Sequence, residues 1–428
     1  MRSRWAQVLF WSVISAAFIG PGTVTTCAKA GASYGTALIW ALVFSTFACV
    51  VLQEAATRLT IATGNDLGRA LRDRFTGAAG LAVTVLVLGA IVMGCAAYQA
   101  GNILGAVAGA QLLQPGPNVA WVAAIGLPAA LLLGFAATGT VARLLGYLVA
   151  LMGAVFVVTA AGMLPAFGGL LRGALIPSLP DGSALLVLGM IGTTVVPYNL
   201  FLAAGLARGR RSENMRFGLV VAIVLGGAIS VAVLVVGSGL AGEFSYEELA
   251  AALAVRLGGW AYSGFGLGLA AAGFTSALTA PLAAALTARG LFEREGEARW
   301  SERSWYYRSI WGFVLLVGLG FAASGTPPIP AIIAAQALNG AILPIVAIFL
   351  FVIVNDRSRM GDRANGPLAN GALYVCVAVS LLLGTSGVLR AAARALDMPA
   401  PGARLILVVA GVLLIILSVP MWRAIRRD

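Results

Sequence analysis

Residues 19–35 read IGPGTVTTCAKAGASYG, a stretch that lies inside a long apolar run and yet contains a predicted break in a helix. Pro21 has no backbone N–H, and it stands between Gly20 and Gly22, which tolerate almost any backbone conformation. A membrane helix accepts such a break where the freed backbone groups face protein or a cavity. Since many transporters build their substrate sites from interrupted helices, Gly20, Pro21, Gly22 and Thr23 are predicted to line a binding site.

The composition of the 428-residue chain indicates a polytopic membrane protein. Hydrophobic residues account for 60% and charged residues for 10%, with a mean hydropathy of +0.95, which excludes a soluble globular protein. The net charge of +12 comes from arginines clustered between apolar runs, a positive-inside pattern that argues against a nucleic-acid partner. The first apolar run has no convincing cleavage site and is interpreted as a retained helix rather than a signal peptide. The four cysteines show no CxxC spacing, so neither a disulfide nor a metal centre is implied.

About twelve apolar stretches are long enough to cross roughly 30 Å of hydrocarbon. They comprise residues 5–36, 37–61, 77–110, 118–138, 141–165, 183–207, 215–241, 260–288, 306–323, 328–354, 368–389 and 403–422. With this count most arginine clusters fall on one side. The pattern predicts a multi-pass protein of a bacterial-type inner (plasma) membrane with both termini in the cytoplasm. The lipid bilayer is its predicted surroundings, and no obligate protein partner is evident.

A second predicted break lies in the sixth span, where Val196, Pro197, Tyr198 and Asn199 follow two threonines. Five spans separate the two breaks, and an odd number of helices per repeat inverts the second copy in the membrane. Matching interruptions in two inverted halves point to a binding site between them. The alternative is an ordinary proline kink, which is common in membrane helices.

The stretches GPGTVTTCAKAGASYG, IWALVFSTFACVVLQEAATRLTIATGNDLG and GTTVVPYNLFL resemble the Nramp family of proton-coupled divalent metal transporters, over about residues 10–360. The resemblance implies an all-α membrane protein with the LeuT-type 5+5 inverted-repeat fold, interrupted helices 1 and 6 and about 12 transmembrane helices. Residues 1–360 would form the ten-helix core, with repeat one at about 5–165 and repeat two at about 183–354. Residues 361–428 would add two C-terminal transmembrane helices.

The chain departs from this family where the family binds its metal. The family motif DPGN, whose Asp and Asn coordinate the metal, is GPGT at 20–23, and the motif MPHN is VPYN at 196–199. Ala203 aligns with the family's second histidine, and the chain contains no histidine. In the third span, Gln99 and Asn102 align with the acids that the family uses for proton movement. The metal ligands expected from the resemblance are therefore missing, and no metal site is predicted.

The residues after the first break favour an anion. Thr23, Thr26 and Lys29 recur at i, i+3 and i+6, and Lys29 is the only lysine in the chain. Helical side chains point toward the N-terminus, which brings the lysine ammonium near the break. At about 6 Å it would repel a divalent cation by roughly 5 kcal/mol at an effective dielectric of about 20.

These residues predict a secondary active transporter of a small inorganic anion that works by alternating access. Bicarbonate is favoured because hydroxyl and amide groups match an ion that both donates and accepts hydrogen bonds. Chloride, nitrate or a small carboxylate would satisfy many of the same groups. The rival hypothesis keeps the activity of the family, with Mg²⁺ or Mn²⁺ bound through carbonyls, hydroxyls and water. An enzyme is not predicted, since no catalytic constellation occurs.

Several residues keep two interpretations. Lys29 is either a substrate contact or a snorkelling or ion-paired residue. Glu54 is the only acid well inside the predicted spans; it can pair with Arg58 at i+4, face Lys29 or relay protons. The Thr26 hydroxyl either contacts substrate or bonds to a carbonyl of its own helix.

No cofactor is predicted, and the coupling ion is left open between Na⁺ and H⁺. Thr275, Ser276 and Thr279 in the eighth span are candidates for sodium binding or for helix packing. Gln336 and Asn339 in the tenth span are candidates for lining the pathway or for bonding between helices.

Overall fold

A computed structural model describes residues 19–135, 138–163, 167–209, 215–240, 242–293 and 298–426 of the protein. Residues 5–18 of the predicted first span lie outside these ranges. Within them every regular element is helical, which confirms the all-α class.

The α-helices are α1 (Pro21–Tyr34), α2 (Ile39–Thr63), α3 (Leu67–Arg74), α4 (Gly77–Leu113), α5 (Asn118–Phe135), α6 (Thr138–Gly162), α7 (Phe167–Leu175), α8 (Ala184–Thr194), α9 (Pro197–Ala207), α10 (Met215–Gly237), α11 (Tyr246–Leu257), α12 (Trp260–Phe292), α13 (Trp305–Ala323), α14 (Pro328–Val354), α15 (Arg357–Met360), α16 (Pro367–Ala395) and α17 (Ala403–Arg426).

Ten helical segments of the described chain are long and apolar enough to cross a membrane, with α8 and α9 together forming one interrupted segment. They lie at the predicted spans from the second to the twelfth, except the fifth. That span corresponds to α6, of which the part from Gly146 to Gly162 is a shorter apolar helix. The predicted interruption in the sixth span is present between α8 and α9. Helix α1 begins at Pro21, where the break in the first span is predicted, and the part of that span before Ile19 lies outside the described residues.

The long helix α4 packs against α12, α13 and α14. Helix α1 packs against α10 through small residues. A β-carbon at Gly31 would lie 2.0 Å from the backbone oxygen of Leu234, so only glycine permits this approach of the two helices. This packing fixes the position of α1, and with it the first break, against the rest of the bundle.

The end of α2 that is predicted to face the cytoplasm is tied to the segment after α14. Arg58 donates to Glu54 over 3.2 Å, to the Asn365 side chain over 2.5 Å and to the backbone oxygen of Arg363. Glu54 and Arg58 are both less than one-fifth exposed. The pairing that the sequence left open is therefore the i,i+4 pair with Arg58, and Glu54 has no described contact with Lys29.

Four helices were not predicted from the sequence: α3, α7, α11 and the short α15. Helix α11 occupies the acidic loop between the seventh and eighth spans, which is predicted to lie outside the cell. Ser245 caps it by accepting from the backbone N–H of Glu248 over 3.0 Å, and Glu247 and Glu248 lie in its first turn. Both features stabilise a helix N-terminus. Helix α11 packs against α12 and α6.

Candidate functional site

The first break lies where the sequence predicts it. Gly20 is extended, with φ −131° and ψ −172°, and α1 begins at Pro21, whose missing N–H is no loss at the first position of a helix. Residues 20–28 are all buried. Helix α1 therefore starts inside the protein rather than at its surface, at the glycine–proline–glycine sequence.

The second break is built in the same way. Helix α8 ends at Thr194, Val196 is extended with φ −74° and ψ 122°, and α9 begins at Pro197. The interruption is therefore a break between two helices and not a proline kink in a continuous one.

The two breaks meet in the interior of the bundle. Thr23 Oγ1 and Thr193 Oγ1 form a hydrogen bond of 2.9 Å, and both side chains are fully buried. Thr26 lies against α8, since its methyl group is 3.1 Å from where a β-carbon at Gly189 would stand. The structure thus brings the two predicted halves of the site together.

Helices α12 and α14 close the first break. A β-carbon at Gly22 would lie 2.2 Å from Gln336 Nε2, and one at Gly20 would lie 3.1 Å from Ser276 Oγ. The two glycines allow these polar side chains to approach the interrupted backbone closely. Ser276 of the eighth span and Gln336 of the tenth span therefore reach the site.

Other candidates from these two spans bond elsewhere. Thr275 donates to the carbonyls of Ala271 and Ala272, and Thr279 donates to the carbonyl of Thr275, all within α12. Asn339 donates to Ala335 O over 3.1 Å and to Gly94 O over 3.4 Å. These three side chains serve helix structure and packing, which is the second of the two interpretations that the sequence allowed.

Buried polar atoms without a hydrogen-bond partner concentrate around the breaks. Gln53, Arg74, Thr159 and Arg308 also carry such atoms, but eight of the twelve residues form this cluster, each at most 1% exposed: Thr26, Tyr98, Gln99, Asn102, Tyr198, Asn199, Ser276 and Gln336. Leaving such a group unpaired costs about 1–3 kcal/mol, so a cluster of them marks a place where water or a ligand completes the bonding. Gln99 is partly satisfied, since its Nε2 donates to Ala277 O over 3.1 Å.

The cluster carries no formal charge. Its members offer amide oxygens, amide N–H groups and hydroxyls, which both donate and accept. Among the described residues, no group of three or more His, Cys, Asp or Glu is placed to hold a metal ion. Lys29 follows two turns along α1, is half-buried, and forms no ion pair with a described acidic residue. Its contact with a substrate stays a prediction.

Four residues outside the predicted site contribute to the site or its border. Thr193, one of the two threonines noted before the second break, and Tyr98, which looks like an ordinary member of an apolar helix, lie at the junction of the breaks. Thr25 donates to Pro21 O over 2.6 Å, so the bond back to its own helix belongs to Thr25 and not to Thr26. Tyr246 of α11 bonds Thr25 over 2.6 Å, and burial raises the pKa of Tyr246 well above its ordinary value.

Comparison with known proteins supports one family. The family model "Natural resistance-associated macrophage protein-like" matches residues 12–390, which extends past the similarity predicted from the sequence. The divalent metal cation transporter MntH of Yersinia pestis (strain Pestoides F) is 26% identical over 387 residues, covering 86% of this chain and 91% of the relative. The protein of the same name from Verminephrobacter eiseniae is 28% identical over 406 residues, covering 90% and 89%.

Two solved structures show the same fold. A variant of the manganese transporter of Eremococcus coleocola superposes with a TM-score of 0.72 at 18% identity, covering 99% of this chain and 94% of the other. The inward-facing conformation of Mhp1 superposes with a TM-score of 0.54 at 16% identity, covering 96% and 89%. Both likenesses concern the arrangement of the helices.

Proposed function

Since this chain belongs to the Nramp family of membrane transporters, we propose that its substrate is a divalent metal cation, carried by alternating access at the junction of the two helix breaks. The observation that carries this proposal is the family match over 12–390 combined with the intact breaks at Pro21 and Pro197. The names of the relatives, divalent metal cation transporters, support the same substrate class. The predicted anion substrate has no such support among them.

The chemistry of the site favours a hard cation that keeps part of its water. Tyr198, Asn199, Ser276 and Gln336 offer neutral oxygen atoms and no thioether. Mg²⁺ and Mn²⁺ take oxygen ligands, and Mg²⁺ in particular retains several waters when bound. Without a carboxylate among these side chains, binding would be weak, and the retained waters would donate to the amide and hydroxyl oxygens.

A small anion, bicarbonate in particular, is the second candidate. The observation that favours it is that the unpaired side chains include donors but no acid. The N-terminus of α1 carries about half a positive charge, and helix N-termini bind anions. Lys29 would add a full positive charge two turns further along the same helix.

Uptake into proteoliposomes distinguishes the two substrates. Purified protein is reconstituted, and uptake of Mn²⁺, Mg²⁺, labelled bicarbonate and chloride is measured for the wild type, Lys29→Ala and the charge-retaining control Lys29→Arg. For a metal substrate we expect metal uptake that is unchanged or faster in Lys29→Ala. Bicarbonate uptake lost in Lys29→Ala and retained in Lys29→Arg would overturn the metal proposal and establish the anion.

Two further parts of the proposal concern organisation and coupling. We propose residues 1–360 as the transport core and 361–428 as two additional helices, α16 and α17, with both termini in the cytoplasm. Because Gln99 and Asn102 are neutral and the chain has no histidine, we propose that transport does not require the proton route of the family. Of the three hydroxyls of α12 predicted as sodium candidates, Thr275 and Thr279 bond within their helix and Ser276 remains available for a coupling Na⁺.

A further inference from the structure

We propose that Tyr98, on the third span, contacts the substrate together with Tyr198, and that this pair of hydroxyls selects a substrate that presents oxygen atoms, either a hydrated cation or an oxyanion. The inference rests on the proposed function, because it concerns the same site. It adds a contact from α4 that neither the break motifs nor the family resemblance assigns.

The two tyrosines form a buried aromatic pair across the second break. Their ring centroids are 5.5 Å apart and their planes are inclined by 84°. Tyr98 is 0% and Tyr198 1% exposed. Tyr198 follows Pro197 at the start of α9, so the ring of Tyr98 packs against a side chain of the first turn after the break. Edge-to-face packing restricts both rings and so fixes the direction of their hydroxyls.

The two hydroxyls lie near polar neighbours, since the Tyr98 hydroxyl approaches the side chains of Thr193 and Tyr198. Neither tyrosine hydroxyl, however, makes a hydrogen bond of good geometry. Thr193 in turn bonds Thr23 of the first break over 2.9 Å. The pair therefore extends the polar junction of the two breaks onto α4, and it ends in two hydroxyls that have capacity for a further donor or acceptor.

Packing alone does not explain these hydroxyls. Phe156 and Phe265 form an edge-to-face pair of the same kind elsewhere in the bundle, with centroids 5.9 Å apart, planes at 87° and at most 1% exposure. That pair fills its volume with no polar atom. The tyrosine pair at the breaks has the same ring geometry but adds two buried oxygen atoms. Burying such atoms lowers the stability of the fold unless they form hydrogen bonds.

A ligand that bonds the lone pairs of both hydroxyl oxygens must donate hydrogen bonds. The waters of a partly hydrated Mg²⁺ or Mn²⁺ can do so, and so can the O–H group of bicarbonate. A chloride ion accepts hydrogen bonds but donates none, and a dehydrated soft metal ion prefers sulfur and nitrogen ligands. A hydrated cation and bicarbonate therefore share one property, which is that both present oxygen atoms to the two hydroxyls. The binding measurements below distinguish between them.

The test uses calorimetric titration of the full-length protein with Mn²⁺, Mg²⁺, bicarbonate and chloride. The variants are Tyr98→Phe, Tyr198→Phe and the double variant, each of which removes hydroxyls and keeps the rings. The control is Thr159→Val on α6, because Thr159 Oγ1 is also buried and unpaired but lies outside the cluster. Thermal unfolding is recorded for every variant.

We expect each tyrosine variant to weaken binding of the oxygen-presenting ligand about fivefold to tenfold, with an unfolding temperature equal to or above that of the wild type. The double variant should lose less than the product of the single losses, since both hydroxyls bond one guest. Thr159→Val should bind as the wild type does. Loss of metal binding identifies the waters of a cation as the source, and loss of bicarbonate binding identifies the anion.

Wild-type affinity in Tyr98→Phe overturns this proposal, as does an equal loss in Thr159→Val. If liposomes made from the wild type take up metal while Tyr98→Phe binds it normally, this proposal fails and the proposed function stands. If the wild type neither binds nor transports any of the four ions, both are wrong.

Discussion

Replacing Gly22 by alanine tests the closeness of Gln336 to the first helix break. The new β-carbon would lie 2.2 Å from Nε2, 2.6 Å from Cδ and 3.2 Å from Cγ of Gln336, whereas ordinary contact begins at 3.4 Å. Rotation of the terminal amide cannot relieve all three overlaps, so the whole side chain must leave the break. Overpacking of this kind costs about 1–3 kcal/mol. We expect a lower unfolding temperature and substrate uptake reduced at least tenfold.

Two further variants separate overpacking from other effects of the added methyl group. Gly205→Ala in α9 is the matched control, since its β-carbon meets no atom within 4 Å. It should leave uptake unchanged and stabilise the helix by about 0.5–1 kcal/mol. Adding Gln336→Ala to Gly22→Ala removes the overlapping atoms. The double variant should regain the unfolding temperature but not the uptake, because the amide of Gln336 is then lost.

The assay pairs thermal unfolding of purified protein with initial uptake rates in proteoliposomes. If Gly22→Ala unfolded and transported like the wild type, Gln336 would not lie against the break, and the assignment of the tenth span to the site would be wrong. A double variant that unfolds no later than Gly22→Ala would place the cause of the lost stability elsewhere.

Four other outcomes follow from the structure. Arg58→Gln, which releases the segment after α14 from α2, should lower stability by about 1–2 kcal/mol, as measured by thermal unfolding. Ser276→Ala should weaken substrate or coupling-ion binding in calorimetry, whereas Thr279→Ala, whose hydroxyl bonds its own helix, should not. Tyr246→Phe removes a hydrogen bond to α1 worth about 1 kcal/mol; labelling of the buried Cys27 by an impermeant thiol reagent from outside should become faster, as mass spectrometry of labelled peptides would show. Uptake should persist when a protonophore abolishes the pH gradient, and acidification of the vesicle lumen during uptake would contradict this.

The helix breaks were predictable because their cause is local. Proline lacks a donor and suits the first position of a helix. The flanking glycines of Pro21 and the polar residues around Pro197 distinguish these two from Pro128, Pro281, Pro344 and Pro420, which lie inside helices. The span positions were predictable for a similar reason, since the thickness of the hydrocarbon sets the length of each apolar run. The inverted repeat followed from the matching positions of the two breaks.

The polar lining of the site was only partly predictable, because side-chain direction in a buried helix depends on the neighbours. Gln336 and Asn339 differ by three positions in α14, yet the first reaches the break unpaired and the second bonds its own helix and α4. Thr275 and Ser276 are adjacent, and only Ser276 faces Gly20. Tyr98 was missed because an aromatic residue in an apolar run is ordinarily part of the core.

The substrate class was the weakest inference from the sequence. The anion prediction came from the lost carboxylate of the first motif and from Lys29, both of which are statements about charge. The relatives are named as divalent metal cation transporters. The lost carboxylate and Lys29, considered alone, would exclude such a substrate. Neutral amides and hydroxyls can bind a cation through their oxygen atoms or an anion through their N–H and O–H groups. The identity of the bound ion therefore depends on its hydration as much as on its charge.

The two hydrogen bonds of the Thr25 hydroxyl make a short mechanical linkage from loop to site. Since Thr25 has one proton and donates it to Pro21 O, the bond with α11 must be donated by the Tyr246 hydroxyl. A displacement of this loop helix therefore pulls on the first carbonyl of α1 through a single side chain. An antibody fragment or a cross-link that restrains α11 would therefore slow the transport cycle without occupying the ion path.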